Sequence, residues 1–119
     1  MHTVLLVDDD ELTLSILTRF LSNNGFQVKS ASDGVDALRM LDSESFDLVI
    51  SDVSMAEMDG ITLLKTIREN GNDVPFIVVT GHPKMDGYIN AVQKFGAFEY
   101  LQKPIELEML NNVIRRLVG

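Results

Sequence analysis

Carboxylates gather where apolar runs end. In TVLLVDDDELT, residues 3–13, five residues of apolar strand lead straight into Asp8, Asp9 and Asp10. In FDLVISD, residues 46–52, another apolar run ends on Asp52. Two ionised carboxylates about 4 Å apart repel by roughly 4 kcal/mol at an effective dielectric near 20. A solvated turn dilutes that cost, and a bound cation reverses its sign. Two more run ends carry complementary groups: Thr80 closes PFIVVT and Lys103 follows AFEYLQ. Three carboxylates (Asp8, Asp9, Asp52) and one ammonium (Lys103) leave a net charge of −2, which one divalent cation neutralises. Magnesium suits such a set, because it takes hard oxygen ligands and keeps several waters. A rim charged in this way is suited to a phosphoryl group. Asp52 is then a carboxylate nucleophile toward phosphorus, giving an aspartyl phosphate. Lys103 and the metal would stabilise charge on the transferred oxygens, with a hydrogen bond from Thr80.

The elements that must bring these residues together alternate. Thr3 to Val7 reads as a strand, and Leu12, Ile16, Leu17, Phe20 and Leu21 then recur at helical spacing up to a stop at Gly25. Gln27 to Ala31 is a weaker strand at a sheet edge, and Ser32-Asp33-Gly34 turns the chain into a helix marked by Val35, Leu38 and Leu41. Phe46 to Asp52 is a third strand. Asp59 caps a third helix carrying Ile61, Leu64 and Ile67, which ends at Gly71. Pro75 to Thr80 is the most hydrophobic strand. Tyr88, Ile89, Val92 and Phe95 mark a fourth helix closed by Gly96, Ala97 to Gln102 a fifth strand, and Leu110, Val113, Ile114 and Leu117 a fifth helix. Strict alternation with near-continuous apolar strands predicts an α/β fold, a doubly wound parallel sheet covered on both faces. Ligands of such sheets bind beyond the carboxyl ends of the strands. Asp8 to Asp10, Asp52, Thr80 and Lys103 all fall on that rim. Asp10 is assigned to capping the first helix rather than to the cluster.

Composition narrows the function classes. The chain has 119 residues, enough for one domain with its own core. The absence of cysteine excludes disulfides, thiol chemistry and thiolate ligation of zinc. No apolar run approaches a membrane span and no signal peptide is read, so a cytoplasmic location is expected. A net charge of −8 argues against direct nucleic-acid binding and permits divalent cations or a basic protein partner.

The segments VDDD, DLVISDVSMAEMDG, FIVVTGH and GAFEYLQKPI, in this order and spacing, resemble the receiver domains of two-component response regulators. The resemblance runs from Thr3 to about Leu117. It implies a (βα)5 sandwich with strand order 2-1-3-4-5, the flavodoxin-like order. Residues 1–119 are expected to form one receiver domain with no output domain. Carried over by position, Asp52 is the phosphoacceptor. Asp8 and Asp9, with Asp52 and the backbone carbonyl of Ser54, hold Mg2+, for which Mn2+ could substitute. Thr80 is the switch hydroxyl, Lys103 the lysine partner and Tyr100 the aromatic whose rotamer reports phosphorylation. Lys103-Pro104 resembles the family's cis peptide.

The function so implied is a phosphorylation-dependent switch in bacterial signalling. It takes its phosphoryl group from a sensor histidine kinase or a histidine phosphotransfer protein. It is not a turnover enzyme, although it catalyses transfer to its own Asp52 and its own dephosphorylation. Its output, through a second copy or a target, is expected at the surface of the fourth helix, fifth strand and fifth helix. One departure from the family pattern is Ala56, where the loop commonly has proline, which fixes φ as alanine does not. Ser54 and His82 stand two residues beyond Asp52 and Thr80, where family members vary and phosphoryl lifetime is tuned.

Rival classes fit less well. There is no GxxxxGK[ST] for a P-loop, and no GxGxxG after the first strand. The stretch from Asp52 is spaced wrongly for an EF-hand loop. A metal-dependent phosphatase of similar topology opens with Asp-x-Asp-Gly, whereas Asp10 is followed by Glu11. A flavodoxin-like carrier needs a loop rich in hydroxyls and glycine where this chain has aspartates, which would repel the flavin phosphate.

Overall fold

Five short parallel strands form one sheet in the order β2-β1-β3-β4-β5. The computed structural model describes residues 2–53, 58–81 and 94–118. The strands are β1 (Thr3–Val7), β2 (Gln27–Ala31), β3 (Leu48–Asp52), β4 (Phe76–Thr80) and β5 (Glu99–Gln102). The helices are α1 (Glu11–Asn23), α2 (Gly34–Ser43), α3 (Gly60–Glu69) and a C-terminal helix, Leu107–Val118. All five residues of β3 and of β4 are buried, which is why their sequences are apolar on both faces rather than alternating. β2 lies at the edge with Gln27 and Ser30 exposed. The strands expected from Phe46, Pro75 and Ala97 begin one or two residues later, the usual uncertainty of an element end. The expected fourth helix, with Tyr88, Ile89 and Val92, lies outside the described residues. Its closing residues are within them, Lys94 and Phe95 being helical and Gly96 having φ +69°.

Each face of the sheet has its own core. Leu5, Val7, Val49, Phe76 and Val78 pack against Ala37 of α2 and Leu63, Leu64 and Ile67 of α3. Val4, Leu6, Leu48, Ile50, Ile77 and Val79 pack against Leu17 and Leu21 of α1 and Leu110, Val113 and Ile114 of the C-terminal helix. The helices start where aspartates cap them: Asp10 accepts from the N–H of Leu12, Asp33 from Asp36 and Asp59 from Thr62.

The expected apolar face of α1 is corrected. Leu12 is 68% exposed and Ile16 48%, while Leu14 joins Leu17, Phe20 and Leu21 against the sheet. At about 100° per residue, Leu12 lies roughly 140° around the helix from Leu17, nearly opposite the core. Spacing alone let both residues be counted with the wrong stripe.

Candidate functional site

The parallel registers carry four strand ends to one rim. Val7 pairs with Ser51, Asp52 with Val79, and Thr80 with Gln102. Asp8 follows β1, its N–H donating to the carbonyl of Ala31 at 3.2 Å. Asp52 is the last residue of β3 and Thr80 the last of β4. The strand order reverses between β1 and β3, so Asp8 and Asp52 flank the crevice where ligands of such sheets bind. The N–H of Lys103 donates to the carbonyl of Thr80 at 2.7 Å, and the Lys103–Pro104 peptide is cis.

Side chains converge from these ends. The Lys103 ammonium lies 3.3 Å from Asp8 Oδ2 and 3.3 Å from Asp52 Oδ2. Carboxylate oxygens of Asp8, Asp9 and Asp52 lie within 4.8 Å of one another. Asp8, Asp52 and Thr80 are buried, and Asp9 is exposed. Burial acts to lower the pKa of Lys103, but Asp8 and Asp52 together outweigh it, and the net shift is upward. A lysine whose folded pKa is raised adds stability that is fully present below its unfolded value. That stability is lost only as pH rises through the folded one. The pairing is therefore intact at neutral pH.

The resemblance made Lys103 the lysine partner and gave Asp8, Asp9 and Asp52 to the cation. The structure brings the ammonium equally close to Asp8 and Asp52. Asp8 has a further tie, its Oδ1 accepting from the N–H of Asp10 at 2.9 Å. Asp10 turns away as the cap of α1: Thr13 Oγ1 donates to it at 2.6 Å, and that bond leads the lowering of its pKa. Tyr100, half-buried on β5, packs against the cluster that contains α2 and α3. The backbone carbonyl of Ser54, along with Ala56 and His82, lies outside the described residues.

Two residues next to Asp52 went unremarked in the sequence. Ser51 is fully buried, and its Oγ donates to the carbonyl oxygen of Asp52 at 3.0 Å. Gly60, the first residue of α3, presses its bare Cα on the same carbonyl: a Cβ there would sit 2.3 Å from that oxygen. A hydroxyl between the apolar run Leu48-Val49-Ile50 and Asp52, on a strand reading as buried, was the available signal for Ser51.

The shared lysine makes the carboxylates unequal. Asp9 stands outside the Lys103 pairing and contributes repulsion of about 1 kcal/mol at water-like screening. Asp9→Asn is therefore expected to raise the metal-free melting temperature by about 4 °C and to shrink the stabilisation by millimolar magnesium. Asp8→Ala is expected to lower the melting temperature, because it strips Lys103 of one partner and the Asp10 N–H of its acceptor. Thermal scans of the two variants with and without magnesium check this; equal behaviour of both would contradict it.

A sequence model of the response regulator receiver domain matches residues 4–115. The chain is 36% identical over 115 residues to the DNA-binding transcriptional regulator NtrC of Proteus hauseri, covering 97% of this chain and 24% of that protein. It is 37% identical over 115 residues to response regulator MprA of Mycobacterium ulcerans, covering 97% and 49%. The chain thus spans a quarter to a half of the length of these relatives. Response regulator TrrA of Thermotoga maritima, solved in complex with Mg2+ and BeF, superposes with a TM-score of 0.89 at 26% identity, covering 99% of this chain and 100% of that one.

Proposed function

We propose, since this chain belongs to the receiver domains of two-component response regulators, that Asp52 accepts a phosphoryl group in a magnesium-dependent reaction and that the domain then changes a remote surface. Membership makes the chain part of phosphorylation-dependent signalling. The residue assignments rest on one observation above all: the Lys103 ammonium held 3.3 Å from both Asp8 and Asp52 beside a third carboxylate. The donor set fits magnesium in kind and in charge, being three hard carboxylates offset by one cation. Magnesium held by Asp8, Asp9, Asp52 and the Ser54 carbonyl would supply neutralisation of the rim and of the incoming phosphoryl oxygens. Mn2+ meets the same requirements.

The chain's own groups do the rest. A carboxylate oxygen of Asp52 attacks phosphorus, and the bond from phosphorus to the donor's leaving atom breaks, that atom keeping the electron pair. The ammonium of Lys103, freed from its pairing with Asp52, follows the charge onto the transferred oxygens. The hydroxyl of Thr80 donates to one of them. Attack of water on phosphorus later breaks its bond to the Asp52 oxygen, releasing inorganic phosphate and restoring the carboxylate, so the protein resets itself. The donor is a histidine kinase or a histidine phosphotransfer protein. The output is a second copy, an attached domain or a target protein. No helix among the described residues is long and apolar enough to cross a membrane, and a cytoplasmic setting follows from the reading.

Incubation with acetyl phosphate and magnesium is expected to add one phosphoryl group, read by intact mass, and EDTA is expected to prevent it. No addition in either condition contradicts the reading. For the route to output, phosphate replaces one carboxylate charge by roughly two and adds acceptor oxygens. Thr80 then moves toward the phosphoryl, and Tyr100 turns into the vacated space. The altered surface is that of the fourth helix, β5 and the C-terminal helix. This is a population shift, biased only by differential interaction with the two states. Thr80→Ala is therefore expected to leave phosphorylation of Asp52 largely intact, slower for want of one hydrogen bond but still complete, because the attacking carboxylate and Lys103 are unchanged. It is also expected to reduce the phosphorylation-induced change in amide exchange of β5 and the C-terminal helix about tenfold, the worth of one hydrogen bond to a charged group. An undiminished change would make Thr80 a strand end and nothing more.

A further inference from the structure

The main chain of Asp52 is held by more than its strand. Pairing of β3 with β1 ends at Val7–Ser51, one residue before Asp52, while pairing with β4 continues to Asp52–Val79. Where the ladder to β1 stops, two side-chain positions close on the Asp52 carbonyl. Ser51 is fully buried within an apolar strand, a placement that costs free energy unless its hydroxyl is bonded. The bond it makes is to the carbonyl oxygen of Asp52, at 3.0 Å. From α3, the Gly60 N–H donates to the carbonyl of Val53 at 2.9 Å. The Cα face of Gly60 lies against the Asp52 peptide so closely that a methyl group would stand 2.3 Å from its oxygen, 3.0 Å from its carbon and 3.1 Å from the Cα of Val53. All three neighbours are backbone and have no rotamer to escape into.

We infer that Ser51 and Gly60 are positioning residues for phosphoryl transfer: together they clamp the peptide of Asp52 and so fix its carboxylate against Lys103 and Asp8. The inference rests on Asp52 being the phosphoacceptor, as proposed above. Its logic is geometric. In-line attack demands tight placement of the nucleophile, and a displacement of about 1 Å can cost roughly a hundredfold in rate. Relieving the contact of an added Cβ at position 60 requires a shift of about that size, because real Cβ atoms essentially never approach below 3.0 Å. Loss of the Ser51 hydroxyl removes one tether without forcing a displacement, so its effect is smaller.

The test is the rate constant for phosphorylation of the full chain at saturating acetyl phosphate and magnesium, at a temperature where circular dichroism shows each variant folded. Ser51→Ala is expected to slow the step about tenfold and Gly60→Ala about a hundredfold, with half-saturation by acetyl phosphate unchanged. Val74→Ala serves as the control, since Val74 is buried just before β4 at the opposite rim. It should lower the melting temperature and leave the rate constant alone. If Gly60→Ala does not fold, Ser51→Ala decides. A Ser51→Ala rate within twofold of the parent, or an equal loss in Val74→Ala, overturns the positioning role and leaves the phosphoacceptor reading standing. A parent chain that takes up no phosphoryl group removes both.

Discussion

Replacing Arg68 by alanine is expected to lower the melting temperature by about 12 °C. Arg68 sits near the end of α3, and its guanidinium donates to four backbone carbonyls. Nε reaches Phe95 at 2.8 Å, one terminal nitrogen reaches Asn72 and Val74 at 2.9 Å each, and the other reaches Gly96 at 3.2 Å. These carbonyls belong to the segments that enter β4 and β5, at the rim away from the carboxylates. Burial draws the pKa of Arg68 down, with Asp73 acting in the opposite sense. A hydrogen bond from a charged donor contributes roughly 1.5–3 kcal/mol. Four such bonds from one partly exposed head are not additive, and about 3 kcal/mol in total is a fair expectation. Alanine removes all four donors and leaves carbonyls that the chain must satisfy in some other way. Arg68→Lys keeps the charge but not the fork of donors, and should recover little. Melting within about 3 °C of the parent for Arg68→Ala would contradict this account of how the two strand entries are tied together.

The sheet was legible because its inner strands are buried on both faces. LVISD and FIVVT could hardly be anything else, and their order follows from right-handed crossovers and the resemblance together. Helix ends were legible as well. Gly25, Gly71 and Gly96 all take positive φ, Asp10 and Asp59 cap as expected, and Asp33, read only as part of a turn, caps α2. The rotation of α1 about its axis was not. Five apolar residues at helical spacing fit a stripe wider than the core can cover, and only packing against the sheet decides that Leu14 turns inward and Leu12 outward.

The candidate site divides along the same line. That Asp8, Asp52, Thr80 and Lys103 share a rim was readable from strand ends, since each is the residue at or just past one. That Lys103 bridges two aspartates was not, because it depends on a distance between β1 and β3 seen from β5, and Asp8 to Lys103 spans 95 residues of chain. Ser51 and Gly60 were missed for a further reason. Both act on the backbone of Asp52, and backbone contacts leave no charge pattern to read. Arg68 is a similar case, its partners being carbonyls up to 28 residues away.

The placement of Asp52 gives the account its largest expected effect. Asp8 is tied at Oδ1 by the Asp10 N–H and at Oδ2 by Lys103, while Asp9 lies on the exposed side outside the lysine pairing. Asp52 joins contact with the Lys103 ammonium to a main chain clamped at the end of an inner strand. Asparagine at position 52 keeps the shape of the side chain, and Lys103 keeps Asp8 as a partner, so the fold should survive. The amide has no carboxylate oxygen with which to attack. The decisive measurement is intact mass of the parent and of Asp52→Asn after incubation with acetyl phosphate and magnesium, followed by hydroxylamine, which cleaves acyl phosphates. The parent should gain one metal-dependent phosphoryl group that hydroxylamine removes, and folded Asp52→Asn should gain none. A hydroxylamine-labile phosphoryl group appearing on Asp52→Asn at a rate comparable with the parent would contradict the assignment and the mechanism built on it.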